Sequence, residues 1–102
     1  MNYIELKKVT EELLKIIKKY YKGDINDKII IGFLSEILIL INEKNSIPRV
    51  ELKLKQKLKS LFPPHEGLSD YYVYIENNNS EMYNINQKVE NLKKKLWFLI
   101  IE

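Results

Sequence analysis

Cysteine is absent from the 102 residues, which excludes a disulfide framework and a thiolate metal site. A single histidine, His65, is the one side chain that titrates near neutrality without perturbation. It lies in a Pro/Gly turn, where a solvated or structural role is the ordinary reading. The sequence also lacks a Gly-rich phosphate loop, a nucleophile elbow and His-rich metal spacing. No enzyme activity, cofactor or metal is therefore expected. No apolar run approaches the ~20 residues that span a bilayer. The opening Met1-Asn2-Tyr3-Ile4-Glu5 has no basic region leading into an apolar stretch, so no signal peptide is expected. Alanine is missing as well. It is the best helix former, so its absence, beside abundant Ile, Lys and Asn, points to AT-rich coding rather than to physics.

With 45% hydrophobic residues, the chain can bury one core and is too apolar to be disordered. One domain over residues 1–102 is expected. The net charge is +3, but it is unevenly spread. Residues 1–60 carry 13 Lys/Arg against 8 Asp/Glu, and residues 61–102 carry 4 against 6. Arg49 is the only arginine, whereas base edges and phosphates are commonly read by arginine's planar fork. Lys53, Lys55, Lys57 and Lys59 would spread around a helix as solvating charge, but would line one face of a strand. Direct nucleic-acid binding is not favoured.

Apolar spacings of three and four predict a mainly α fold of about four helices around one core. The first runs from Asn2 to Lys22, with Leu6, Val9, Leu13, Ile16, Ile17 and Tyr20 on one face. Asn2 is its cap, and Gly23 is a natural stop. The second, Ile25 to Glu43, has Asp24 as a candidate cap and is apolar on nearly every side, as a central helix is. Gly32 is expected to permit close helix approach. A third helix begins near Pro48 and carries Val50, Leu54, Leu58 and Leu61. The last starts at Ser80 or Asn84 and ends at Ile100, with Met82, Ile85, Val89, Leu92, Leu96 and Leu99 in register. Leu13, Ile16, Phe33, Leu34, Ile37, Leu58, Leu92 and Leu96 are the expected core.

Between the third and fourth helices the pattern changes. Tyr71-Tyr72-Val73-Tyr74-Ile75 is the strongest strand signal in the chain, yet no second strand is evident. Period-two alternation sends Tyr72 and Tyr74 to one face and Tyr71 and Val73 to the other. From Leu61 to Gln87 there is no Lys or Arg, although the chain has 17 of them. The same stretch holds Glu66, Asp70, Glu76 and Glu81 among four tyrosines. Tyrosine offers broad, stiff contact area with a polar tip, which suits protein interfaces. Two readings stand: an acidic, Tyr-rich interface, or tyrosines facing the core with acids solvating a loop.

The run Leu61-Phe62-Pro63-Pro64-His65-Glu66-Gly67-Leu68-Ser69-Asp70-Tyr71-Tyr72 is followed by a loop and a helix carrying Leu96-Trp97. It resembles a family of small bacterial proteins with a Phe-Pro-Pro-x-x-Gly-Leu-Ser-Asp-aromatic signature that lie in toxin–immunity loci. In size, cysteine-free character and composition the chain is similar to immunity proteins of contact-dependent growth inhibition systems. The motif covers about the last 40 residues of the 102. His65 and Glu66 stand where that family often has a basic residue, which makes this segment more acidic. The resemblance implies a cytoplasmic, non-enzymatic protein that binds one cognate toxin domain, a nuclease in many such systems, and occludes its active site. An acidic, Tyr-rich plug would fit a basic substrate cleft. The expected contacts are Glu66, Asp70, Tyr71, Tyr72, Tyr74, Glu76 and Glu81. The alternative is a small helical nucleic-acid-binding or regulatory protein using the Lys-rich faces.

Overall fold

Asn2 opens the first helix by accepting the Glu5 N–H at 3.1 Å, one of the four amide donors that a helix start leaves unpaired. The computed structural model describes residues 2–42, 50–62 and 67–101. Among the described residues, four helices, α1 (Tyr3–Lys19), α2 (Ile25–Asn42), α3 (Val50–Ser60) and α4 (Asn79–Ile101), enclose one core, with a 3-10 turn at Gly67–Asp70. The fold is mainly α, and no strand occurs among the described residues. No helix among them is long and apolar enough to cross a membrane.

α1 buries Leu6, Val9, Leu13, Ile16 and Ile17. Thr10 is buried among them, and its hydroxyl donates to the Leu6 carbonyl at 2.7 Å, so no polar group is stranded. α2 buries Ile30, Leu34, Ile37 and Ile41. It packs against α1, α3 and the 3-10 turn, which is why it is apolar on so much of its circumference. Leu54, Leu58 and Leu61 come in from α3 and its end, and Val89, Leu92, Leu96, Leu99 and Ile100 from α4. Tyr20, just past α1, donates its hydroxyl to Glu81 in the first turn of α4 at 3.2 Å, so α1 and α4 run antiparallel. An ion pair between Lys57 and Glu36 ties α3 to α2. Phe62 meets Trp97 edge to face at 5.4 Å, tying the end of α3 to α4.

Several expectations need correction. α1 ends at Lys19, three residues early; Tyr20 caps it, its N–H still bonding the Ile16 carbonyl at 3.1 Å while its hydroxyl reaches Glu81. Gly23, at φ +91°, therefore turns the chain toward α2 instead of closing α1. Gly32 is exposed, and a Cβ there would meet nothing within 4 Å, so it serves no close approach. Seven of the eight expected core residues are buried. Phe33 is only half-buried, with the Lys57 ammonium 5.0 Å above its ring. The strand signal yields an extended segment at residues 71–75 with no partner strand among the described residues. The expected helix start near Pro48 lies outside the described residues.

Candidate functional site

An extended segment without a neighbouring strand must satisfy its main chain in another way. Here side chains do so. Asn26 on α2 pairs with Gly67 in both directions, accepting its N–H at 2.9 Å and donating to its carbonyl at 3.3 Å. Gly67 holds φ +64°, a left-handed conformation that glycine adopts without steric cost. Leu68 is buried and donates its N–H to the Leu61 carbonyl at 2.7 Å. Asn86 on α4 repeats the device at Val73, accepting its N–H at 2.8 Å and donating to its carbonyl at 2.7 Å. Between them, Lys93 donates its ammonium to the Tyr71 carbonyl at 2.8 Å and to Glu90 at 2.9 Å. Lys93 is only 7% exposed, and these two acceptors make that burial tolerable. Past the segment, Asn78 and Glu81 form a reciprocal cap on α4. Asn78 accepts the Glu81 N–H at 3.0 Å and donates its amide to the Glu81 carboxylate at 3.1 Å.

This anchoring fixes which tyrosines face outward. Tyr71 and Val73 are 4% and 2% exposed and belong to the core; Tyr72 and Tyr74 are 59% and 62% exposed. Tyr83 on α4 is exposed too, and shares with Tyr72 a surface pocket of about 450 Å³ that reaches Met82, Asn86 and Glu90. Of the acids singled out in the sequence, Glu76 is exposed in the turn before Asn77, which sits at φ +61°. Glu81 is taken up by Tyr20 and Asn78. Asp70 is exposed but takes part in an interaction within the chain. Glu66, like His65, lies outside the described residues. The structure thus brings Tyr72, Tyr74 and Glu76 to one outer edge and turns Tyr71 inward.

Four residues at the α1–α2 corner join this edge unannounced by their own sequence context. Tyr20, Lys22, Asp24 and Asp27 line a pocket of about 200 Å³ together with residues 71–74. Only the cap signal of Asp24 was readable, and a cap says nothing about a neighbour more than forty residues away. Burial and the adjacent Asp24 push the Asp27 carboxyl above the usual carboxylate range. Burial, with Asp27 and Tyr20 nearby, pushes the Tyr71 phenol up to about 12.

The Tyr71 shift has a consequence for stability. Above pH 10 an unfolded chain begins to ionise this tyrosine, while the folded chain keeps it protonated until about 12. Stability must therefore fall as pH rises through that window. Tyr71→Phe should lose less stability than the wild type between about pH 9 and about pH 11.5. Urea denaturation of both proteins at the two pH values checks this, because the other tyrosines cancel in the difference. An identical alkaline loss in both proteins would place Tyr71 in a solvated setting.

The lysines of α3 do not form one stripe. Lys57 is committed to Glu36 and to the Phe33 ring, and Lys55 takes part in an interaction within the chain. Lys53 and Lys59 are exposed. No group of three metal-ligating side chains comes together among the described residues. What the site offers chemically is aromatic surface, carboxylates and a rigid main chain. Comparison with protein-family models, with curated proteins and with solved structures finds no match to this chain.

Proposed function

We propose that this protein is a non-enzymatic immunity protein that acts in the cytoplasm. It binds a cognate toxin domain, a nuclease, and occludes its active site through the edge formed by Tyr72, Tyr74 and Glu76. The observation that carries this reading is the pair of outward tyrosines on a segment whose main chain is anchored by Asn26, Lys93 and Asn86. Aromatic side chains dominate the energetics of protein interfaces. Holding them in place beforehand lowers the ordering cost of binding. The lack of Lys and Arg from Leu61 to Gln87 favours a basic partner, and a nuclease cleft is basic by function. The sequence resemblance to growth-inhibition immunity proteins points the same way.

The first experiment is co-purification with the product of the gene immediately upstream; failure to form a complex sinks the reading. With a complex in hand, Glu76→Lys should weaken binding about tenfold at low salt and clearly less at high salt. The melt should be unchanged, because Glu76 is exposed in a turn. Equal affinity of wild type and variant at both salts would move the contact surface away from this edge.

A further inference from the structure

The pocket at the α1–α2 corner, about 200 Å³, has walls from three parts of the chain. Asp24 is already employed at the start of α2, where its Oδ1 accepts the N–H groups of Asn26 at 2.7 Å and Asp27 at 3.3 Å. Asp27 is different. Its carboxylate accepts no hydrogen bond and forms no ion pair among the described residues. Tyr71 supplies a second, independent sign. Its ring is almost wholly buried, but its hydroxyl is open to solvent and has no hydrogen-bond partner among the described residues; it lines the same pocket within electrostatic reach of Asp27 and Tyr20. A phenol whose ring is fixed in the core holds its hydroxyl at one place in the pocket, where it is free to bond an incoming group. The outer rim already accepts a cation: the Lys22 ammonium lies 3.3 Å from the Tyr74 carbonyl and 5.9 Å from the Tyr74 ring centroid.

A carboxylate with no ion-pair partner among the described residues, an accessible hydroxyl without a partner on a buried ring, and flanking tyrosine rings together describe a receptor for a cationic side chain. We infer that this pocket receives one arginine or lysine side chain from the partner's basic surface, with Asp27 as its counter-charge and the Tyr71 hydroxyl as an acceptor. Arginine fits better than lysine, because a planar guanidinium donates to the carboxylate while lying on a tyrosine face. The inference rests on the proposed binding function, which it deepens by naming the residue type that the partner inserts. A pocket of this volume takes one long side chain and excludes a folded element.

The test needs no toxin. N-acetyl-argininamide is titrated into the full chain and followed by the backbone amide resonances in solution NMR, beside N-acetyl-lysinamide and the neutral N-acetyl-norleucinamide. The arginine probe should give saturable shifts centred on Asp27, Tyr72 and Val73, with lysine weaker and norleucine silent. Asp27→Asn should bind about tenfold more weakly, since a hydrogen bond to a charged group is lost. The variant should keep its fold, because the carboxylate it replaces is desolvated and set beside Asp24. Tyr71→Phe, which removes only the hydroxyl, should also weaken the probe. Shifts scattered over all surface acids, or equal responses from wild type and Asp27→Asn, would overturn the inference. A positive titration with no complex in co-purification would leave the pocket standing and remove the immunity reading, so the two failures are distinguishable.

Discussion

Leu96→Ala is expected to destabilise the protein by ~2–5 kcal/mol. Leu96 is fully buried, and α4 packs against α1 and α3. The mutation removes apolar burial and leaves a cavity that helices pinned at both faces cannot fully close. Domains of this size have only ~5–15 kcal/mol in total, so the loss is a large fraction of the whole. Phe98→Ala, two residues along the same helix, is the internal control. Phe98 is 61% exposed, and its truncation should stay within ~0.5 kcal/mol. Urea denaturation of the two variants beside the wild type makes the comparison. Equal effects at both positions would mean that α4 is rotated about its axis relative to the arrangement described.

The helices were legible because burial repeats along them. Leu34, Ile37 and Ile41 on α2 step by three and four, and so do Val89, Leu92, Leu96 and Leu99 on α4. Their starts were legible where a side chain caps locally. Asn2 and Asp24 accept main-chain N–H groups two or three residues ahead, a relation that a sequence states directly. The end of α1 was not legible: it stops at Lys19, ahead of Gly23, and the Tyr20 hydroxyl at that end meets a carboxylate sixty-one residues on, a distance that no local pattern encodes. Phe33 looked like core because it stands four residues before Ile37, in helical spacing. A lysine of α3 over its ring allows it to stay half in water.

The Tyr-rich segment was half legible. Alternation assigned the two faces, and burial follows it, with Tyr71 and Val73 inside and Tyr72 and Tyr74 outside. The hydrogen-bonding partner was not legible. A partner strand would have left its own period-two pattern, whereas Asn86 and Lys93 are two polar residues on an amphipathic helix and look like ordinary surface. Glu81, expected as a contact, also caps α4, a role that Asn78 three residues before it spells. Asp24 and Asp27 join the edge only through the packing of α2 under the segment, so they could not have been assigned to it in advance.

Asn86→Ala should cost ~2–4 kcal/mol and should also loosen the tyrosine edge. The Asn86 side chain makes three hydrogen bonds: one from the Val73 N–H, one to the Val73 carbonyl and one to the Met82 carbonyl at 2.9 Å. Removing it strands both main-chain groups of a residue that is nearly inaccessible to water. Each stranded group costs about 1–3 kcal/mol, partly offset where water can enter the vacated space. Asn86→Asp separates the two bonds. A carboxylate still accepts the Val73 N–H but cannot donate to the Val73 carbonyl, and it faces that oxygen with like charge, so it should rescue little. Thermal melts give the stability change, and hydrogen exchange at the Val73 amide gives the local one. In the wild type this amide should be protected, and in Asn86→Ala it should exchange far faster than core amides of α1 and α4. Because Tyr72 and Tyr74 flank Val73, loss of this clamp should weaken partner binding beyond any contact made by Asn86 itself, through the restored cost of ordering the segment. An unchanged melt together with a protected Val73 amide would show that Tyr71 and Val73 hold the segment by burial alone, with the asparagine only accompanying it.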